Sequence, residues 1–522
     1  MYNVLLITAD QWRAECLSGL GHPTVKTPNL DALAADGVLF REHYTQCTPC
    51  GPSRTSLLTG MYMMNHRSVR NGTPLDSRFT TLALEMRKLG YAPSLIGYTD
   101  ISLDPRGRDR NDPALKTYAG TLPGFTQLVP GSEGESAWRK HLTRKGYHFP
   151  PEPDAAYVPV SGYARGPGWG PTFAPAPFKA EDGDTAFTTD QAIEFIANER
   201  KPWFLHLSLL RPHPPFIAPE PYNAMYDPAK VPGFNGLASR DEEALQHPYM
   251  AYMMRDFRDH KRDGHARGLH KPEDRAKRQL RATYYGLITE VDHHLGRLLN
   301  AVRQAGAYDN TLVIFTTDHG EQLWDHWALG KEFYFDQSFH IPLIVRLPGA
   351  DADRARGRVV DDFSQSIDLM PTILDCLGGR PPVQCDGASL KPWVLGETPA
   401  NWRQEVFFEL DFRDVGDPAP ERELGITLDE CSLAVVRDRR HKYVHFAALP
   451  ALLFDMAADP QEHRNCLADP AYAPAALQMA QKMLNWRLAM ADRTMTGMKL
   501  SSKGLLECPP ERRVGAPRPP AA

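Results

Sequence analysis

Val4-Leu5-Leu6-Ile7-Thr8-Ala9-Asp10-Gln11 is an apolar run that breaks abruptly into two polar residues capable of chemistry. A short run with almost no polar alternation reads as a strand covered on both faces, the pattern of a parallel sheet between helix layers. Three later stretches repeat it. Ala92-Pro93-Ser94-Leu95-Ile96 ends at Gly97-Tyr98-Thr99-Asp100, Trp203-Phe204-Leu205-His206-Leu207-Ser208-Leu209-Leu210 at Arg211-Pro212-His213-Pro214, and Leu312-Val313-Ile314-Phe315-Thr316-Thr317 at Asp318-His319-Gly320. In open α/β sheets, ligand sites form beyond the carboxyl ends of the strands. The runs therefore predict an α/β protein with a large, mostly parallel sheet flanked by helices and chemistry gathered along one edge.

Helical patterns alternate with these strands. Thr27-Pro28-Asn29-Leu30-Asp31 opens a helix, with Thr27 as N-cap and Pro28 at its first position, and Gly37 closes it before Val38-Leu39-Phe40. Leu280, Tyr284, Leu287, Ile288, Val291, Leu295 and Leu298 mark a long amphipathic helix. Its His293-His294 pair invites a metal reading, but adjacent helical positions do not face one point, so both are read as solvent-exposed. The charge-dense region 255–278 reads as a solvated face or loop, and 150–177, rich in Pro, Gly and aromatics, as a long ordered loop. After Cys376 the alternation gives way to Glu405-Val406-Phe407-Phe408-Glu409, Ser432-Leu433-Ala434-Val435-Val436 and Lys442-Tyr443-Val444-His445-Phe446, the pattern of a small antiparallel sheet, with a helix from about Pro474 to Ala491 packed on it. The expected organisation is a catalytic α/β domain over 1–375, a smaller C-terminal α+β domain with the antiparallel sheet over 376–498, and an extended tail over 499–522, suited to an oligomer contact.

A chain of 522 residues has room for such an arrangement, and its net charge of −5 gives no general attraction to nucleic acid or anionic membrane. The eight cysteines are scattered rather than arranged as a disulfide framework. No apolar run is long enough to span a bilayer, and Met1-Tyr2-Asn3 leads straight into a strand rather than a secretory leader, so the expected location is the cytoplasm.

The most crowded chemistry lies in Thr45-Gln46-Cys47-Thr48-Pro49-Cys50-Gly51-Pro52-Ser53-Arg54-Thr55-Ser56-Leu57-Leu58-Thr59-Gly60. Pro52 suits the first turn of a helix and Gly60 its end, which places Cys50 at a helix N-terminus, where negative charge is stabilised. Taken alone, a buried structural cysteine is the simpler reading, and the strand ends have to decide. If they converge, Asp10, Gln11, Asp318 and His319 offer two carboxylates, an amide oxygen and an imidazole to a divalent cation; the imidazole tilts the choice toward manganese and leaves calcium open. Either aspartate alone would more often be a helix cap. Arg54 stands one helical turn beyond Cys50, Lys331 adds a second cation, and His213 sits between prolines in a stiff loop. Singly these read as an ion pair or a turn residue. Together around a nucleophile they suit displacement at an anionic tetrahedral phosphorus or sulfur.

Cys50-Gly51-Pro52-Ser53-Arg54, followed by Leu58-Thr59-Gly60, resembles the Cys-x-Pro-x-Arg signature of formylglycine-dependent sulfatases of the alkaline phosphatase superfamily. Cys47 does not fit, because Gly51 stands where its arginine should be. The resemblance extends through Thr317-Asp318-His319-Gly320-Glu321, Leu329-Gly330-Lys331, Ser366-Ile367-Asp368-Leu369-Met370-Pro371-Thr372 and Phe454-Asp455-Met456-Ala457-Ala458-Asp459-Pro460. Asp10-Gln11-Trp12-Arg13, Tyr62-Met63-Met64-Asn65-His66-Arg67 and Arg211-Pro212-His213-Pro214-Pro215-Phe216 look like its phosphonate monoester hydrolase and phosphodiesterase branch. The resemblance implies an alkaline phosphatase/sulfatase-like fold, one divalent metal ion, and oxidation of Cys50 by a formylglycine-generating enzyme to an aldehyde whose hydrate is both metal ligand and nucleophile. It implies a covalent hemiacetal ester at modified Cys50, charge stabilisation by Arg54 and Lys331, and substrate contacts from Asn71 and Tyr98; His213 is the leading candidate to protonate the leaving group, with Lys331 as its rival. It also implies a homo-oligomer, a tetramer in its close relatives. Asp100 departs from the threonine typical of that branch; it would repel a dianionic substrate or contact a substrate amine. Three functions compete on these residues: phosphonate monoester and phosphodiester hydrolysis with sulfatase side activity, a sulfatase proper, or a non-catalytic metal-binding scaffold.

Overall fold

The computed structural model describes residues 1–130, 137–163, 169–259 and 274–508. Its main sheet has eight strands in the order Arg358–Val360, Val38–Phe40, Leu343–Arg346, Thr311–Thr316, Asn3–Ala9, Phe204–Leu209, Ser94–Gly97, Thr126–Pro130. All run parallel except Leu343–Arg346, which is antiparallel to both neighbours. Asn3–Ala9 is central, with Ala9 beside Leu209 on one side and Thr8 beside Thr316 on the other. The three strands therefore end level, and the residues after them share one edge.

The unbroken apolar runs have a direct cause. Leu5, Ile7 and Ala9 join the core under helix Asp274–Gln304, while Val4 and Leu6 join a second core with Leu57 and Leu58 of helix Cys50–Thr59. Every position of the strand is thus buried, each large side chain contributing roughly 1.5–3 kcal/mol. The long helix packs against both Pro28–Ala35 and Asp184–Asn198, so more than one of its faces is covered. That corrects the expectation for His294, which is buried and accepts a hydrogen bond from Arg297 Nη1 at 2.9 Å; His293 is exposed as expected. Thr27 precedes its helix without capping it, because its hydroxyl is engaged by Ser18 and Asp31.

The smaller sheet has the order Leu452–Asp455, His441–Phe446, Ser432–Asp438, Glu405–Asp411, Cys47–Thr48. Its first four strands are antiparallel; Cys47–Thr48 adds in parallel, with Glu409 beside Cys47 and Leu410 beside Thr48. The segment just before helix Cys50–Thr59 is therefore an edge strand of the C-terminal sheet. Helix Ala473–Met490 covers this sheet through Met479, Met483 and Trp486. Met498–Ser501 and Gly504–Glu507 then form an exposed hairpin. The rest of the expected tail, the middle of the 255–278 region and part of the 150–177 loop lie outside the described residues. Cys16, Cys47, Cys50, Cys376, Cys385, Cys431 and Cys466 are buried as free thiols, and among the described residues no helix is long and apolar enough to cross a membrane.

Candidate active site

Helix Cys50–Thr59 starts after Pro49 in extended conformation, with Pro52 in its first turn where no N–H is needed, and stops at Gly60, whose φ of 70° suits glycine. The N–H of Gly51, unpaired within the helix, donates to Asn71 Oδ1 at 2.9 Å. Gly51 is required sterically, since a Cβ there would lie 2.8 Å from the Asp100 carbonyl oxygen. Cys50 is thereby presented, buried, at the helix start. Its Sγ lies 3.2 Å from His319 Nε2 and 3.1 Å from Lys331 Nζ.

Ligand atoms of Asp10, Cys50, Asp318 and His319 all lie within 4.8 Å of one another. The donor chemistry fits a hard divalent cation. Asp10 Oδ1 is buried with no hydrogen-bond partner, a cost of about 1–3 kcal/mol or more unless a cation answers it. His319 Nδ1 donates to the Gly320 carbonyl at 2.9 Å, which leaves Nε2 as the nitrogen available to ligate a cation, facing Asp10, Asp318 and Cys50. Gln11, at a φ of 70°, hands its amide nitrogen to Glu321 and turns Oε1 toward the site, where Lys331 Nζ donates to it at 2.7 Å. Asp318 Oδ1 accepts from the backbone N–H of Gln11 and of His319.

Arg54 ties this set together. Its Nε donates to Asp318 Oδ2 at 2.8 Å and its Nη2 to Asp10 Oδ2 at 2.9 Å, while Nη1 donates to Ser208 Oγ and the Tyr98 carbonyl. Tyr98 stacks under the guanidinium and donates its hydroxyl to Asp10 Oδ2 at 2.6 Å. In this state Arg54 and Tyr98 orient the carboxylates. The charges follow from burial and neighbours. Burial pushes Asp10 up, but Arg54, Lys331 and His319 outweigh it and hold the carboxyl below its usual range. Burial lowers His319, favouring the neutral, ligating form. Burial, then Asp10, pushes the Cys50 thiol well above its ordinary value despite Lys331. Burial opposes protonation of Lys331, yet Cys50, Asp10 and Asp318 raise it, so the ammonium persists. Asp100, buried and at a φ of 52°, is pushed up to about 7 by burial, with Arg54 pulling the other way.

His213 stands on the loop after Leu209, the strand end that lies beside Ala9, and its Nδ1 donates to the Pro214 carbonyl at 2.7 Å, so Nε2 is its basic nitrogen. Cys47 points elsewhere, its Sγ 3.5 Å from Ser56 Oγ in a small cluster with Met63 and Val69. The structure adds residues that the sequence reading did not single out. Glu321 fixes Gln11, Ser208 anchors Arg54, and Ser53 Oγ donates to the Asp318 carbonyl. Ser208 carried a signal: a hydroxyl inside a fully covered strand needs a partner.

A buried donor set for a divalent cation, a nucleophile position at a helix N-terminus and a two-cation clamp, all on the carboxyl edge of a mostly parallel sheet, define a metal-assisted hydrolase of ester bonds. A sequence model described as Sulfatase matches residues 2–379, and one described as N-sulphoglucosamine sulphohydrolase, C-terminal, matches residues 324–489. The chain belongs to the sulfatase family, within the alkaline phosphatase superfamily. It is 44% identical over 517 residues to the multifunctional alkaline phosphatase superfamily protein PehA of Trinickia caryophylli, covering 96% of this chain and 98% of that protein. The phosphonate monoester hydrolase of Agrobacterium radiobacter superposes with a TM-score of 0.91 at 43% identity, over 98% of this chain and 100% of that one. The phosphonate monoester hydrolase SpPMH from Silicibacter pomeroyi gives 0.90 at 43% identity, over 99% and 100%.

Proposed function

We propose that the protein hydrolyses phosphonate monoesters and phosphodiesters, with sulfate-ester hydrolysis as a side activity. The observation that carries this is the meeting of Asp10, Asp318, His319 and Lys331 around Cys50 Sγ in a chain that matches phosphonate monoester hydrolases along its whole length. A manganese or calcium ion held by Asp10, Gln11, Asp318 and His319, with formylglycine derived from Cys50, would supply a polarised phosphoryl oxygen and a hydrate oxygen as nucleophile. Lys331 balances negative charge growing on the non-bridging oxygens, and Arg54 adds its charge while holding both carboxylates in place. His213 Nε2 gives its proton to the leaving alkoxide or phenoxide. Asn71 and Tyr98 flank the phosphoryl position, and the Asp100 carboxyl adds negative charge that favours singly charged esters over dianions.

A formylglycine-generating enzyme is the maturation partner this reading requires. The exposed Leu500, Leu505 and Leu506 of the terminal hairpin support a homo-oligomer, for which a tetramer is the expected size. Seven buried free thiols support a reducing, cytoplasmic location, and the net charge of −5 supports a small anionic ester rather than nucleic acid or membrane as the ligand. The test is to measure the mass of the peptide bearing residue 50 in protein co-expressed with the maturing enzyme, then kcat/KM on a phenylphosphonate monoester, a phosphodiester, an aryl sulfate and a phosphate monoester. The expected result is an aldehyde at residue 50, with the first two substrates ahead and the phosphate dianion last. An intact thiol in fully active protein overturns the formylglycine reading. Sulfate ahead by orders of magnitude makes the protein a sulfatase proper.

A further inference from the structure

We propose that Arg211 is a positioning residue that aims His213 at the leaving group. Its guanidinium is 1% exposed and gripped from three parts of the chain. Nε faces the Asp184 carboxylate, 3.3 Å from Oδ2, at the first residue of helix Asp184–Asn198. The planar face lies over the Tyr157 ring, 4.3 Å from its centroid. Nη1 then donates to two backbone carbonyls, that of His213 at 3.0 Å and that of Pro215 at 2.6 Å. The carbonyl between them, on Pro214, accepts from His213 Nδ1. Three consecutive carbonyls thus define the loop: the outer two are fastened to Arg211 and the middle one sets the tilt of the imidazole. The direction of His213 Nε2 follows from the seat of Arg211. A lysine offers the charge but neither the fork nor the flat face that reaches carboxylate, ring and two carbonyls together.

This inference rests on His213 as the proton donor, so the experiment separates the two. Matured enzyme and the variants His213→Asn, Arg211→Lys, Arg211→Met and Arg211→Met/His213→Asn are assayed on para-nitrophenyl and phenyl phenylphosphonate, which share the phosphorus centre and differ in how much the leaving oxygen needs a proton. Thermal melting of each variant reports its fold. His213→Asn is expected to lose on the order of 100-fold in kcat on the phenyl ester and far less on the nitrophenyl ester. Arg211→Met is expected to reproduce that pattern at about 10- to 100-fold, Arg211→Lys to lie between it and the parent, and the double variant to fall no further than His213→Asn. Equal losses on both esters for the Arg211 variants, or losses that multiply in the double variant, overturn the positioning role while leaving His213 as the donor. Equal losses on both esters in His213→Asn overturn the donor reading itself, and the positioning role with it.

Discussion

At the scale of single residues, the metal-ligating candidates are held by neighbours that never touch the cation. Glu321 is the sharpest case. It is fully buried, accepts the amide N–H of Gln11 and the backbone N–H groups of Leu323 and Gly330, and so decides which end of the Gln11 amide faces the site. Glu321→Gln brings two amide groups together, and the simplest relief is for Gln11 to turn its nitrogen inward. Outer-shell changes of this kind weaken metal affinity about 10- to 100-fold. A competition titration with manganese should show that loss with the melting temperature of the metal-free protein little changed. Unaltered affinity would remove Gln11 from the ligand set.

At the scale of elements, the same reasoning explains what could be read in advance. Val4–Ala9 and its three companions were legible because strands with two covered faces must be apolar throughout, and Pro52 and Gly60 bracket a helix by backbone preference alone. Cys47–Thr48 was not legible as a strand, because a two-residue pairing has no period and depends on Glu409 and Leu410, far along the chain. Leu452–Asp455 was missed because it is a short edge strand. His294 was misjudged because the second packing face of helix Asp274–Gln304 appears only when Asp184–Asn198 docks there. That same packing buries Glu290. Burial, with Asp184 nearby, pushes its carboxyl up to about 8, against the pull of Arg211. The folded state therefore binds this proton more tightly than the unfolded chain does. The stability this proton confers is full below about 4.5 and lost as pH rises through about 8. Glu290→Gln has no such proton to lose. Its melting temperature relative to the parent should therefore rise between about pH 5 and about pH 8.5 in parallel melts, a window set by the raised carboxyl. A pH-independent difference would mean that Glu290 is ionised throughout.

At the scale of the whole molecule, the two sheets meet beside Cys50, the candidate nucleophile. Glu409 of the small sheet donates its backbone N–H to the Gln46 carbonyl, and its side chain takes the Met64 N–H at 2.9 Å and Arg487 at 2.9 Å. Phe408, fully buried one residue away, stacks on Phe339 with ring centroids 4.2 Å apart and lies 6.2 Å from the ring of Tyr44. Tyr44 leads into the Cys50 segment, and Phe339 follows the Lys331 loop and precedes the antiparallel strand Leu343–Arg346. One aromatic side chain of the C-terminal sheet thus packs against segments that carry Cys50 and Lys331. If the sheets were separate folding units, loosening one would spare the other. The shared ladder from Cys47–Thr48 to Glu405–Asp411 argues that they unfold as one. Phe408→Ala should cost about 3–5 kcal/mol, the range for emptying a buried aromatic position. In denaturant, far-UV ellipticity and release of bound manganese should then move to lower concentration together, as one coincident transition. Metal release that stays at the parent midpoint while the ellipticity splits into two steps would show instead that the small sheet melts alone and the site is built by the main sheet without it.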